Sequence, residues 1–164
     1  MVSVRKKKLA AVPPHSSGKR YCDRKVIVKW NSSLAIGIEA IDNQHKQIFE
    51  HLLALENSVA KRDPWHIVRF LLSQLAEYMK FHLAVEEAML EIVRFPQQRD
   101  HCQAHAKIMD QIADLEKHLQ RAGSETNLVG FFEDWFIRHV LSEDRQYADY
   151  VKKEFPALLG QTRQ

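Results

Sequence analysis

Residues 81–89 read Phe-His-Leu-Ala-Val-Glu-Glu-Ala-Met, and two of them decide the fold. His82 and Glu86 stand four apart, about one helical turn, so both project from one face of a helix. The rest of that face is apolar. Val68, Leu71, Leu72, Leu75, Tyr78, Met79, Val85 and Met89 recur around the pair at three- and four-residue steps. A stripe of this kind predicts burial. A buried carboxylate without a partner is costly, so Glu86 requires a partner inside the protein.

Three further segments carry side chains of the same kind. His101 and His105 are again four apart, His45 stands in Ile41-Asp42-Asn43-Gln44-His45, and His139 precedes Asp144 by five residues. The last spacing does not suit an ideal helix. Five residues turn through about 500°, which leaves the two side chains about 140° apart. For both to meet, the backbone between Val140 and Asp144 must loosen, by a π-type turn or by leaving the helix. π-bulges often mark functional sites.

Helices grow outward from these groups. Ile41, His45, Ile48, Phe49, Leu52, Leu55 and Val59 predict a first helix over about residues 41–61. Asp63-Pro64 reads as an N-cap followed by proline at the first helical position, opening a second helix that runs to about Val93 before Phe95-Pro96. His101, His105, Ile108, Met109, Ile112, Leu115 and Leu119 mark a third, running to about Arg121 with Gly123 as its stop. The fourth starts near Thr126 or Asn127 and carries Leu128, Phe131, Phe132, Trp135, Phe136, His139 and Val140. Short connections between long amphipathic helices imply an all-α, up-down-up-down antiparallel four-helix bundle. Residues 26–40 show no helical stripe and are expected to cross the bundle as an N-terminal arm anchored by Trp30.

The donor set points to iron. A structural zinc site takes about four ligands and usually includes thiolates. Seven imidazoles and carboxylates are too many for one such ion. Two octahedral ions offer about twelve positions. Five imidazoles, two bridging carboxylates and a bridging oxygen leave one position open, where a small molecule would bind. Other metal folds fit less well. Ferritin-like bundles use Glu-x-x-His on two helices, and here the nearest match, Asp42-x-x-His45, occurs once. The zinc-protease motif fails because Cys102 follows His101. His15, His51, His66 and His118 fall outside the set and are read as ordinary histidines.

The stretches Trp30–Phe49 (WNSSLAIGIEAIDNQHKQIF), Phe81–Met89 (FHLAVEEAM), Phe95–His105 (FPQQRDHCQAH) and Trp135–Asp144 (WFIRHVLSED) resemble the hemerythrin family, in particular its bacterial members. The resemblance runs in family order over about residues 29–155. It implies a bundle holding two irons, bridged by an oxo or hydroxo group and by two carboxylates, here Glu86 and Asp144. It places His101, His105 and His139 on a saturated iron, and His45 and His82 on one with an open position. The function it implies is reversible dioxygen binding for transport, storage or sensing, and not catalysis. The alternatives are an enzyme acting on iron, peroxide or nitric oxide at the same metals, or a regulatory module responding to oxygen or iron.

One turn from the ligands lie Ile48, Met79, Phe136 and Val140, an apolar set expected to shield bound dioxygen from water. Two positions depart from the family. Phe136 stands where leucine is usual, and Leu83 where phenylalanine is common.

Charge divides the chain. Residues 1–30 hold nine Lys or Arg against Asp23 alone, a net of +8, so the remainder carries −5 within the total of +3. Residues 1–25, with Pro13-Pro14 and Ser16-Ser17-Gly18, read as a basic flexible extension, and an anionic partner for it is the sharper alternative. Residues 26–160 are expected to form the bundle. No nucleic-acid motif accompanies the basic stretch. No apolar run approaches the roughly 20 residues of a membrane span, and the N-terminus has too short an apolar stretch for a secretory signal. The expected location is cytoplasmic. Cys22 and Cys102 make no disulfide framework, and Cys102 is read as a small buried apolar residue.

Overall fold

Asp42 ties the start of the chain to the bundle. Its carboxylate accepts hydrogen bonds from the backbone N–H groups of Ile36 at 2.8 Å and Gly37 at 2.9 Å. The structure, a computed structural model, describes residues 29–118 and 128–159. Within them the arm begins at Lys29, makes a short 3₁₀ turn over Ser32–Leu34, and runs extended into the first helix. Leu34, Ile36 and Ile38 alternate inward, all buried. This is the period-two pattern of an extended segment. Arg145 holds the arm from the far end of the chain, donating from its guanidinium to Ser33 O at 2.8 Å.

The helices are α1 (Glu39–Ala60), α2 (Trp65–Ile92), α3 (Gln98–His118), α4 (Leu128–His139) and α5 (Arg145–Glu154). A π-helical turn over Val140–Asp144 joins α4 to α5. The loosening required by the five-residue spacing is therefore a π turn inside one long helix, which forms the fourth arm of the bundle. α1 packs against α2 and α4, and α2 against α3.

Helix ends differ from the sequence reading in instructive ways. α1 starts at Glu39, two residues before Ile41, because the Asp42 N–H bonds back to Ile38 O at 2.8 Å. Pro64 sits one step earlier than expected. With ψ at 139° it caps α2 instead of occupying its first turn, and its carbonyl accepts from Ile67 N at 2.8 Å. α1 and α2 both end on an arginine in the left-handed region, Arg62 (φ 56°) and Arg94 (φ 52°). Each end is a Schellman arrangement. Arg94 N–H bonds to Glu91 O and Phe95 N–H to Leu90 O, while Arg62 bonds to Val59 and Asp63 to Ser58. Glycine would adopt that φ without steric cost. The expected start of the fourth helix, the Gly123 stop, Leu119 and the basic extension lie outside the described residues.

The core follows the predicted stripes. Ile48, Leu55, Leu75, Leu90 and Ile108 are fully buried, with Ile36, Ile41, Leu72 and Ile112 nearly so. Among the described residues, no helix is long and apolar enough to cross a membrane.

Candidate metal centre

The middle of this core is polar. His45, His82, Glu86, His101, His105, His139 and Asp144 are all buried, none more than 5% exposed. The helical spacing explains how α1, α2 and α3 deliver the first five. The π turn delivers the last two, turning Asp144 onto the face that His139 already occupies.

Their donor atoms form two groups that share one carboxylate. Glu86 gathers with His101, His105 and His139, and again with His45 and His82, the atoms of each group lying within 4.8 Å of one another. Glu86 Oε2 lies 3.3 Å from His105 Nε2, 3.5 Å from His101 Nε2 and 3.8 Å from His82 Nε2. Asp144 faces both groups with separate oxygens. Oδ2 is 3.3 Å from His45 Nε2, while Oδ1 is 2.9 Å from His139 Nε2 and 3.6 Å from His101 Nε2.

Buried polar atoms are ordinarily hydrogen-bonded. Here both ring nitrogens of His45, Nε2 of His82 and of His101, Oε2 of Glu86 and both oxygens of Asp144 have no hydrogen-bond partner among the described residues. Nε2 of His105 and of His139 converge at 3.0 Å. Lone-pair donors of two kinds, imidazole nitrogens and carboxylate oxygens, thus crowd together at one place in the core. That chemistry fits cations. Imidazole and carboxylate together suit borderline ions such as iron.

A ring of outer residues fixes the imidazoles. Gln44 Oε1 lies 3.0 Å from His82 Nδ1, Glu87 Oε1 3.0 Å from His105 Nδ1, and Glu143 Oε2 2.5 Å from His139 Nδ1. Such partners set the tautomer and raise the basicity of the inward nitrogen. Trp135 stacks on His139 at 4.7 Å and 12°. Tyr147, fully buried, donates its hydroxyl to Glu86 Oε1. The sequence reading passed over Gln44, Glu87, Glu143 and Tyr147. Each nevertheless stood beside or one turn from a candidate ligand.

Protonation is set by these neighbours. Burial pushes His82 down to about 4, against the pull of Glu86, so its ring is neutral near pH 7. Burial works to raise Glu86, but the imidazoles of His101, His105 and His139 close to Oε2 outweigh it and hold the carboxyl well below its usual range. Asp144 is likewise lowered, burial and Glu86 being outweighed by His139 and His45. Burial opposes charge on His139 as well, yet Asp144 and Glu143 raise it well above the usual histidine value.

The apolar set is buried as well: Ile48, Met79, Phe136 and Val140 are at most 1% exposed. Phe136 meets His45 edge-on at 5.4 Å and Phe49 at 5.2 Å. Cys102 is not the fully buried residue expected. It is half-buried and lines a cavity of about 310 Å³ with Leu83, Glu87, His105 and Met109. Its thiol is raised by burial and by Glu87. His51 packs near Tyr78 at 5.2 Å and His66 is exposed, both away from the centre.

Known proteins match in sequence and in shape. A bacteriohemerythrin of Pseudomonas paraeruginosa is 27% identical over 132 residues, covering 79% of this chain and 85% of the relative. A bacteriohemerythrin of Clostridium acetobutylicum is 27% identical over 135 residues, covering 73% and 98%. A myohemerythrin of Sipunculus nudus is 25% identical over 118 residues, covering 72% and 88%. A crystal structure of a hemerythrin mutant with leucine replaced by tyrosine superposes with a TM-score of 0.70 at 23% identity, covering 81% of this chain and 98% of that one. The family described as the hemerythrin HHE cation binding domain matches residues 36–151, which contain all seven buried donors. The chain belongs to the hemerythrin family.

Proposed function

We propose that the protein binds dioxygen reversibly at a non-heme di-iron centre, for transport, storage or sensing. The observation that carries the reading is the convergence of unpartnered imidazole and carboxylate atoms in two groups sharing Glu86, inside an otherwise apolar core. On this reading His101, His105 and His139 hold one iron and His45 and His82 the other, with Glu86 and Asp144 bridging and an oxo or hydroxo group completing the pair. When bound, the irons supply the electrons and the open position that dioxygen requires.

The chain's own residues do the rest. Glu87 and Glu143 keep His105 and His139 turned inward, and Gln44 does so for His82. Ile48, Met79, Phe136 and Val140 keep water from the two-histidine side. Residues 26–160 form the functional unit on this reading, and the basic extension lies outside the site.

The test is an iron count with a binding assay. After anaerobic reconstitution, elemental analysis is expected to approach two irons per chain, with no heme. The reduced protein is expected to change its absorption spectrum on exposure to dioxygen and to return when dioxygen is removed. Glu86→Ala is expected to lose metal, while His66→Ala, at an exposed position, keeps it. Preferential zinc binding, or equal metal content in the two variants, removes the reading.

A further inference from the structure

We propose that Trp30 is the shutter through which small ligands reach the two-histidine side of the centre, and that Lys29 and Lys46 favour anions on that route. The inference rests on the di-iron reading of the centre. Ile48, Met79, Phe136 and Val140, which wall that side, are buried and belong to helices or to the π turn. Each is packed on all sides, so moving any of them aside would require repacking a close-packed core.

Trp30 is built differently. It is half-buried and lies in the non-helical arm. Its ring sits 6.3 Å from that of His45 and 5.9 Å from that of Phe49. On its outer side a cavity of about 210 Å³ is lined by Lys29, Trp30, Lys46, Phe49, Glu50 and Leu53. A single layer of aromatic rings therefore separates an open surface cavity from a candidate ligand histidine. Aromatic edges and the Lys46 ammonium, 5.7 Å from the ring centre, pack the Trp30 ring. Half-buried and facing that cavity, this ring has room to swing without repacking the core.

The rim of the cavity is charged unequally. Lys46 Nζ donates to Asn43 Oδ1 at 3.0 Å, and Glu50 accepts from Gln47 Nε2 at 3.0 Å. Two ammonium groups thus stand against one carboxylate. A local positive field raises the arrival rate of anions and leaves that of neutral dioxygen unchanged.

The test uses azide, a small linear anion, on the oxidised full-length protein loaded with iron, followed by stopped flow. A shutter lies on the path and not at the destination. Trp30→Ala is therefore expected to raise the association and dissociation rate constants by the same severalfold factor, with affinity and iron content unchanged. Trp30→Phe is expected to do so more weakly, and it carries the test if the alanine variant loses iron. Lys46→Gln is expected to slow azide association and flatten its dependence on ionic strength, while dioxygen association with the reduced protein stays the same.

Unchanged association rates in both Trp30 variants, or a changed affinity with an unchanged association rate, overturn the shutter. Azide association in Lys46→Gln equal to that of the natural chain at low ionic strength overturns the charge bias. The two readings fail separately. Irreversible oxidation by dioxygen with azide gated as described removes oxygen carriage and keeps the shutter. Reversible dioxygen binding with ungated azide does the reverse.

Discussion

Glu143 and Asp144, adjacent in the chain, reach opposite nitrogens of one ring: Glu143 Oε2 lies 2.5 Å from His139 Nδ1 and Asp144 Oδ1 2.9 Å from His139 Nε2. An outer carboxylate makes the inward nitrogen a better donor, and removing such a partner costs about 10–100-fold in metal affinity. Glu143→Gln keeps the shape and loses the charge. We expect it to fold as the natural chain does and to bind iron about 10–100-fold more weakly, measured by competition with a chelator. Unaltered affinity would show that the 2.5 Å contact does not tune His139.

Loading with metal should expel a proton from this same ring. In the metal-free protein His139 is raised well above its usual range, so it is protonated near pH 7. Glu86 and Asp144 are lowered and already ionised, and His82, near 4, is already neutral. These three release nothing. Because a proton must leave before His139 can bind, affinity is expected to rise with pH through the neutral range. Calorimetry in buffers of different ionisation enthalpy would count the protons. No release at pH 7, with affinity flat from pH 6 to about 8, would contradict the assignment.

Tyr147→Phe removes the hydroxyl that donates to Glu86 Oε1 and leaves the ring volume in place. Loss of a buried hydrogen bond to a charged acceptor costs about 1.5–3 kcal/mol. Urea unfolding of the metal-free protein is expected to show a loss of that order, with helix content unchanged. A variant as stable as the natural chain would mean that Glu86 finds another donor.

The stripes around His82 and Glu86 made the helices legible, and the five-residue step from His139 to Asp144 made the π turn legible. In both cases a periodicity is set directly by backbone geometry. Helix ends were harder to read. Arg62 and Arg94 take the left-handed conformation that sequence patterns assign to glycine, so nothing in an arginine announces them. The inward alternation of Leu34, Ile36 and Ile38 has a period of two, which a search for a helical stripe does not register. The outer ring escaped for a different reason. The side chains of Glu87 and Glu143 are each 41% exposed, so on a helical wheel they fall at the edge of the solvent face. Only the position of a particular imidazole distinguishes such an acid from an ordinary surface charge.

Phe136 meets His45 edge-on and is buried. Phe136→Leu removes bulk beside the two-histidine side and gives water more room there. Water favours protonation and escape of reduced oxygen, which leaves both irons oxidised. We expect faster autoxidation of the oxygenated protein, followed by absorption, with two irons retained. An unchanged rate at unchanged iron content would place Phe136 outside the oxygen pocket.

The π turn over Val140–Asp144 has a consequence for how this chain can change. A π turn bonds each residue to the fifth along instead of the fourth, so it absorbs one residue more than an α turn would. Beyond it, α5 still buries Tyr147, Ala148 and Val151 against the core. Deleting the exposed Leu141 would let the turn tighten to an α turn, shortening the helix without rotating α5. The phase of α5 is thus insulated from the spacing of the donors before it. In this stretch one residue can be removed while the hydrophobic register that closes the bundle stays as it is.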